Sequence, residues 1–268
     1  RAPIPRNPGT PMAQYEAPYG IIGPPVSYAM AARRYMHEYG EDRTRQAMAE
    51  IAVSTRKWAN LNPMAYFYDK PVTFEDYHNS KWVAWPFHLL DCCLVTDAGA
   101  AIVITTPERA RDAKNGSVTI LGAGEGHDHS GISQMPNLTQ AFGMHTGPQA
   151  LEMAGITHSD LDLAMIYDSF TYTVLVSIEN LGFCAPGEGP DLVASQRTAP
   201  GGDFPLNTNG GGLSYTHPGM YGIFTIVEAV RQLRGQAGER QLGNCDLAVA
   251  HGTGGLLSST GTVVLGAQ

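Results

Sequence analysis

The stretch LAMIYDSFTYTVLVSIENL, residues 163–181, reads as a strand running straight into a helix. Residues 163–166 are all apolar, the pattern of a strand covered on both faces. From Phe170 the period changes, with apolar residues at 170, 174, 175, 178 and 181, which is helical spacing. Tyr167, Asp168 and Ser169 stand between the two. A strand-to-helix turn of this kind lies at the carboxyl edge of a sheet, where open α/β folds bind ligands. Asp168 and Ser169 have a plainer use as helix caps, a job that needs no phenol such as Tyr167.

Downstream, a strand-like 205–207 enters the loop Asn207-Thr-Asn-Gly-Gly-Gly-Leu-Ser-Tyr-Thr-His-Pro-Gly-Met-Tyr-Gly222. A helix over 219–233 follows, with Ile223, Phe224, Val227, Val230 and Leu233 on one face. Strands at 246–250 and 260–266 close the chain, joined through His251-Gly252-Thr253-Gly254-Gly255.

Upstream, AGAAIVITT at 98–106 is small and β-branched, which predicts a strand buried on both faces. A short polar helix over 107–114, a strand over 117–122, a Gly/His/Asp-rich loop over 122–137 and a helix over 146–154 come next. Nearer the beginning, Pro24, Pro25 and Gly40 bound a helix over 27–39, and Asn62-Pro63 ends another over 43–59. Thr73 with Asp76 caps a short helix before Trp82. Residues 1–23, rich in Pro, Gly and Tyr without period, read as an extended segment lying on something else. Strands alternating with helices and ending in a hairpin describe an α/β protein with a mixed sheet.

The composition narrows the partners. The 268 residues are 43% hydrophobic and 16% charged, a globular balance. With 25 acidic against 17 basic residues the net charge is -8, which argues against nucleic acid. The lysines Lys57, Lys70, Lys81 and Lys114 form no cluster, so a polybasic membrane anchor is not written here, and no apolar run reaches the roughly 20 residues of a membrane span. Cys92, Cys93, Cys184 and Cys245 lack CxxC spacing and read as reduced thiols of a cytoplasmic protein. Gly126-His127-Asp128-His129 offers neighbours in one loop rather than a metal ligand set, and no metal is expected. Gly122-Ala-Gly-Glu-Gly126 is a poor phosphate fingerprint.

Three loops therefore collect the chemistry. In the second, His217 before Pro218 is an acid–base candidate near neutral pH, and the glycines allow close backbone approach to a ligand. In the third, glycines free backbone N–H groups to converge, as in an oxyanion hole.

At these loops the sequence resembles the thiolase superfamily over nearly its whole length. The counterparts are Tyr167-Asp168-Ser169-Phe170, Gly211-Gly212 with Thr216-His217-Pro218, and His251-Gly252-Thr253-Gly254-Gly255, with Asp97–Ala101 similar to the family's Asp-Gly-Ala stretch. The segment Tyr35-Met-His-Glu-Tyr-Gly40 is similar to the lipid-transfer group, the relatives of sterol-carrier-protein thiolases. The resemblance implies a thiolase-like mixed sheet flanked by helices, with a helical loop region at 1–90 and a core at 91–268 that is mainly the C-terminal half-domain. It also implies that the N-terminal third of the usual fold, which carries the cysteine nucleophile, is absent.

The departures carry chemistry too. Where the family has a second cysteine stands His251, and where it has Asn or His stands Tyr167. Without its thiols such a site has no thioester nucleophile, but oriented donors can still stabilise an enolate. This pattern resembles the actinobacterial steroid side-chain aldolases. It implies retro-aldol cleavage of a steroid β-hydroxyacyl-CoA to a 17-keto steroid and propionyl-CoA. The alternatives are an acetyl-CoA acyltransferase whose nucleophile lies outside this chain, and a non-catalytic acyl-CoA or lipid-binding protein.

On the aldolase reading, Tyr167 or Tyr221 takes the hydroxyl proton with help from His217. His217 and the turn at Gly254 hold the enolate oxygen, Asp168 or His251 orients a partner, and Gly212, Ser214 and Tyr215 contact substrate. No cofactor is bound, coenzyme A arriving as part of the substrate. The resemblance further implies a homodimer and an OB-fold/zinc-ribbon partner protein.

Overall fold

The computed structural model describes residues 9–267. Two long helices come first, α1 (Pro24–Tyr39) and α2 (Glu41–Ala59), then a short α3 (Phe74–Asn79). A small hairpin pairs β1 (Trp82–Ala84) with β2 (Phe87–His88). A single turn, α4 (Pro107–Ala110), precedes β3 (Val118–His127), α5 (Gly143–Ala154), β4 (Leu163–Ile166) and α6 (Thr171–Asn180). The chain closes with α7 (Gly189–Val193), α8 (Gly222–Leu233), β5 (Leu247–Gly254) and β6 (Ser259–Ala267).

The main sheet is mixed, in the order β3-β6-β5-β4. β4 runs parallel to β5, while β6 is antiparallel to both its neighbours. The predicted strand at 163–166 is β4, and its apolar run has a direct physical reason. Leu163 and Met165 pack with Ala229 and Leu233 of α8 on one face. Ala164 and Ile166 join a larger cluster with α1, α2 and α6 on the other. Each large side chain so buried stabilises the fold by about 1.5–3 kcal/mol. That larger cluster runs from Tyr28 to Leu257, so the helices of the first third and the sheet share one core.

Several expectations are met closely. The Thr73–Asp76 capping box forms, with Thr73 Oγ1 accepting from the Asp76 N–H. The strand-like 205–207 pairs with β4 through Leu206 and Ala164.

Others are corrected. Residues 98–106 form no strand, and Val103 is 90% and Ile104 76% exposed. Their composition suits a strand, but a strand needs a neighbour for its backbone groups, and none runs beside them among the described residues. The polar helix expected over 107–114 shrinks to α4.

The glycine-rich start of the expected loop at 122–137 belongs to β3 instead. Gly122, Gly124 and Gly126 lie under α5, where a Cβ would overlap Ala150, Thr146 and Phe142 in turn. Of the segment 1–23, residues 1–8 lie outside the described residues. The rest is not extended but coiled into short turns at Met12–Glu16 and Ala17–Tyr19, with Glu16 buried and accepting from Ser133 N and Oγ.

Candidate active site at the carboxyl edge of the sheet

The turn after β4 is built by side chains that replace missing backbone partners. Asn207, in left-handed backbone, accepts from Ile166 N–H through Oδ1 and donates to Ile166 C=O through Nδ2, both at 2.8 Å. Tyr167 N–H then donates to the His251 carbonyl at 2.9 Å. Asp168, fully buried, turns toward the glycine loop and accepts from Gly212 N–H at 2.6 Å and Leu213 N–H at 3.2 Å. A Cβ on Gly211 would overlap that carboxylate, so the glycine run is required by Asp168 itself. Burial pushes Asp168 up to about 8 against the pull of the two amides.

This scaffold brings Tyr167, His217 and Tyr221 together. The Tyr167 ring meets His217 edge-on at 5.4 Å and Tyr221 at 5.6 Å, while His217 stacks on Tyr221 at 5.9 Å. His217 is held from behind: its N–H donates to Thr96 Oγ1 at 2.8 Å, and Thr96 bonds Thr216 at 2.8 Å. Its Nε2 is buried and meets no partner. Burial lowers the His217 pKa, so the imidazole is neutral at pH 7, and it raises the Tyr167 phenol to about 12. Tyr28 and Cys93 lie close enough to oppose Tyr167 ionisation further. Tyr221 has no exposed surface, and its hydroxyl donates to Asn209 Oδ1 at 3.1 Å. That same oxygen accepts from Gly211 N–H, which ties the phenol to the glycine loop.

The other predicted residues lie apart from this cluster or are already engaged. His251 points away from Tyr167, beside Gly143 at the start of α5, and its Nδ1 bonds Thr262 Oγ1 at 2.9 Å. With no compensating charge nearby, burial lowers its pKa to about 4. Ser214 Oγ accepts from Arg56 at 2.8 Å, and the Gly212 amide is taken by Asp168. Tyr215 packs on Phe224, while its carbonyl receives Tyr66 N–H. Gly254 ends β5 opposite Ser259.

Asn207, Asn209, Arg56, Thr96 and Tyr28 were not singled out from sequence. A run of Asn-Thr-Asn directly before three glycines is the one signal that points to two of them. Asp128 and His129 serve structure, His129 Nε2 bonding the Leu256 carbonyl in the β5–β6 turn. Among the described residues no group of three or more His, Cys, Asp or Glu is placed to hold a metal ion. A cleft of about 550 Å³ lies at the opposite end of β4, but its Arg240, Asp203 and Asp162 are already paired with Glu228, Arg197 and backbone amides.

Residues 124–267, more than half of the chain, match the family model described as thiolase C-terminal domain-like. The chain belongs to that family. Its mixed sheet with flanking helices is the thiolase-like α/β fold.

Among curated relatives of this thiolase-like chain, a steroid side-chain-cleaving aldolase of Thermomonospora curvata is 41% identical over 261 residues. The alignment covers 94% of this chain and 64% of the relative. A 17-hydroxy-3-oxo-4-pregnene-20-carboxyl-CoA lyase of Mycobacterium tuberculosis is also 41% identical, over 90% of this chain and 62% of its own. A solved structure described as an Ltp2-ChsH2(DUF35) aldolase superposes with a TM-score of 0.87 at 38% identity, covering 94% of this chain and 65% of that one. The chain thus spans somewhat less than two thirds of the relatives it matches.

Proposed function

We propose that this chain belongs to a carbon–carbon lyase that cleaves a steroid β-hydroxyacyl-CoA by retro-aldol reaction. The hydroxyl on the steroid ring carbon loses its proton, and the bond from that carbon to the α-carbon of the thioester breaks. The ring carbon becomes a ketone, giving a 17-keto steroid. The electron pair passes into a thioester enolate, which takes a proton at the α-carbon to give propionyl-CoA.

The observation that carries this reading is the buried, unpartnered Nε2 of His217 set among two tyrosine rings. A neutral imidazole with a free nitrogen suits the base that receives the hydroxyl proton. A phenol raised to about 12 is protonated at neutral pH, so Tyr167 suits the donor to the enolate. Tyr221, bonded to Asn209, suits the wall and relay behind them. The 41% identity to an aldolase and a CoA lyase supports the same chemistry.

No cofactor is needed beyond the coenzyme A of the substrate. The protein works as a cytoplasmic homodimer beside a DUF35-type protein, the OB-fold/zinc-ribbon partner that the resemblance implies. The two-component Ltp2-ChsH2(DUF35) aldolase supports that pairing.

The test is an assay of the full protein with its partner on a steroid β-hydroxyacyl-CoA, with and without free coenzyme A. Ketone and propionyl-CoA are expected without added coenzyme A. His217→Ala and Tyr167→Phe should each lower kcat about 100-fold or more. Cleavage only of a β-ketoacyl-CoA, and only with coenzyme A present, would overturn the lyase.

A further inference from the structure

The hairpin β1–β2 carries an exposed aromatic patch that the active site does not use. Trp82 is 52% and Trp85 41% exposed, and their rings stack at 6.0 Å with 14° between planes. Val83 and Leu89 extend the apolar surface on either side. The Arg33 guanidinium of α1 lies over Trp85 at 4.7 Å, and that of Arg45 of α2 over Trp82 at 5.7 Å. Lys81 adjoins them. Among the described residues none of these three cations is within ion-pair distance of a carboxylate, although the chain as a whole carries -8. Glu38 is committed to Arg34 and Asp76 to Thr73. Arg45 is partly answered: the buried Asp91, bonded to Tyr77 and Thr171, feels its charge, and Glu41 and Asp42 stand one turn before it on α2.

Beneath Trp82, its ring 3.7 Å from the indole, lies His88, almost wholly buried. Its Nδ1 faces the Ser80 carbonyl at 2.6 Å and must carry the proton, which leaves a buried Nε2 with no donor. Half-exposed tryptophans, arginine guanidinium groups over their rings and an unanswered polar atom below are the composition of an interface hot spot. A two-fold copy of the chain would set these cations against themselves, which disfavours self-association here. Arg33 and Lys81, left without an ion pair, ask for carboxylates.

We propose that the Trp82–Trp85 hairpin with Arg33 and Lys81 is a docking surface for an acidic segment of a partner protein, and that the occupant is the DUF35-type protein. The assignment of occupant rests on the pairing proposed above. Arg33 and Lys81 fix the partner's carboxylates, and the tryptophans supply the apolar centre.

The test titrates the full protein with the purified DUF35-type protein by calorimetry, following tryptophan fluorescence in parallel. Trp85→Ala should weaken binding about 30-fold, and the exposed Arg33→Glu and Lys81→Glu variants about tenfold each, with circular dichroism and Tm unchanged in the two charge variants. Raising salt should weaken the wild type more than Arg33→Glu. Wild-type binding that all three variants retain would overturn the surface and leave the pairing standing. No binding by the wild type would overturn both. Quenching of the patch by free coenzyme A, or its binding to phosphatidylserine vesicles, when lost in Trp85→Ala, would assign the patch to a ligand or a membrane and overturn the proposal.

Discussion

Asp168 shows how one side chain decides the site without touching substrate. Its two oxygens hold the amides of Gly212 and Leu213, and through them the loop that ends in His217. In Asp168→Asn one acceptor becomes an NH₂ facing a backbone N–H, so one amide is left unsatisfied in the interior. The variant should lose about 1–3 kcal/mol in denaturant unfolding. It should also lose kcat tenfold or more, since His217 is no longer held in place; unchanged kcat would show that the loop needs no such clamp. His251 offers a pH test at the same scale. Its folded pKa of about 4 lies below the ordinary 6.5, so the unfolded chain takes up a proton in this window and the folded chain does not. Stability is therefore lost as pH falls from 7 toward 4, by about 2–3 kcal/mol at pH 4.5 from this group. Urea midpoints for His251→Gln should fall less between pH 7 and 4.5 than those of the wild type.

The glycines of β3 separate two meanings of the same residue at the scale of an element. Gly122 lies against the Ala150 and Ala154 backbone of α5, whereas Gly261, on the paired strand β6, meets nothing within 4 Å. Gly122→Ala should cost about 2–4 kcal/mol because a helix backbone cannot yield as a side chain does. Gly261→Ala should be neutral or stabilise by up to about 1 kcal/mol through the unfolded chain. Equal effects in denaturant unfolding would mean that α5 does not rest on these glycines. The same residues explain what the sequence could and could not tell. β4 and α6 were legible because their periods are imposed by burial on known faces. Gly122-Ala-Gly-Glu-Gly-His127 looked like a loop by composition, and only its alternation, one glycine at every second position, hinted at a strand under a helix. Asn207 was legible only as the head of the Asn-Thr-Asn run before the glycines; its role, a side chain that mimics a strand partner, leaves no periodic pattern.

At the scale of the whole molecule, the site forms because the turn after β4 and the glycine loop that ends at His217 meet at one sheet edge, and the sequence pointed to both through their place between a strand and a helix. The segment at 98–106 was not legible, because a β-branched run specifies a strand only where a neighbour supplies the other half of the ladder. Here Val103 is 90% and Ile104 76% exposed, within an uncharged run over 98–106 on an otherwise acidic protein. Such a run is a template for pairing with another chain. The isolated chain should therefore self-associate as its concentration rises, with light scattering growing faster than linearly. Val103→Lys with Ile104→Lys should suppress this, because a charge at each exposed position opposes stacking and neither side chain is part of the core. Unfolding midpoints should stay within about 0.5 kcal/mol of the wild type, as for exposed substitutions generally. Scattering unchanged by the two lysines would place the association on another surface.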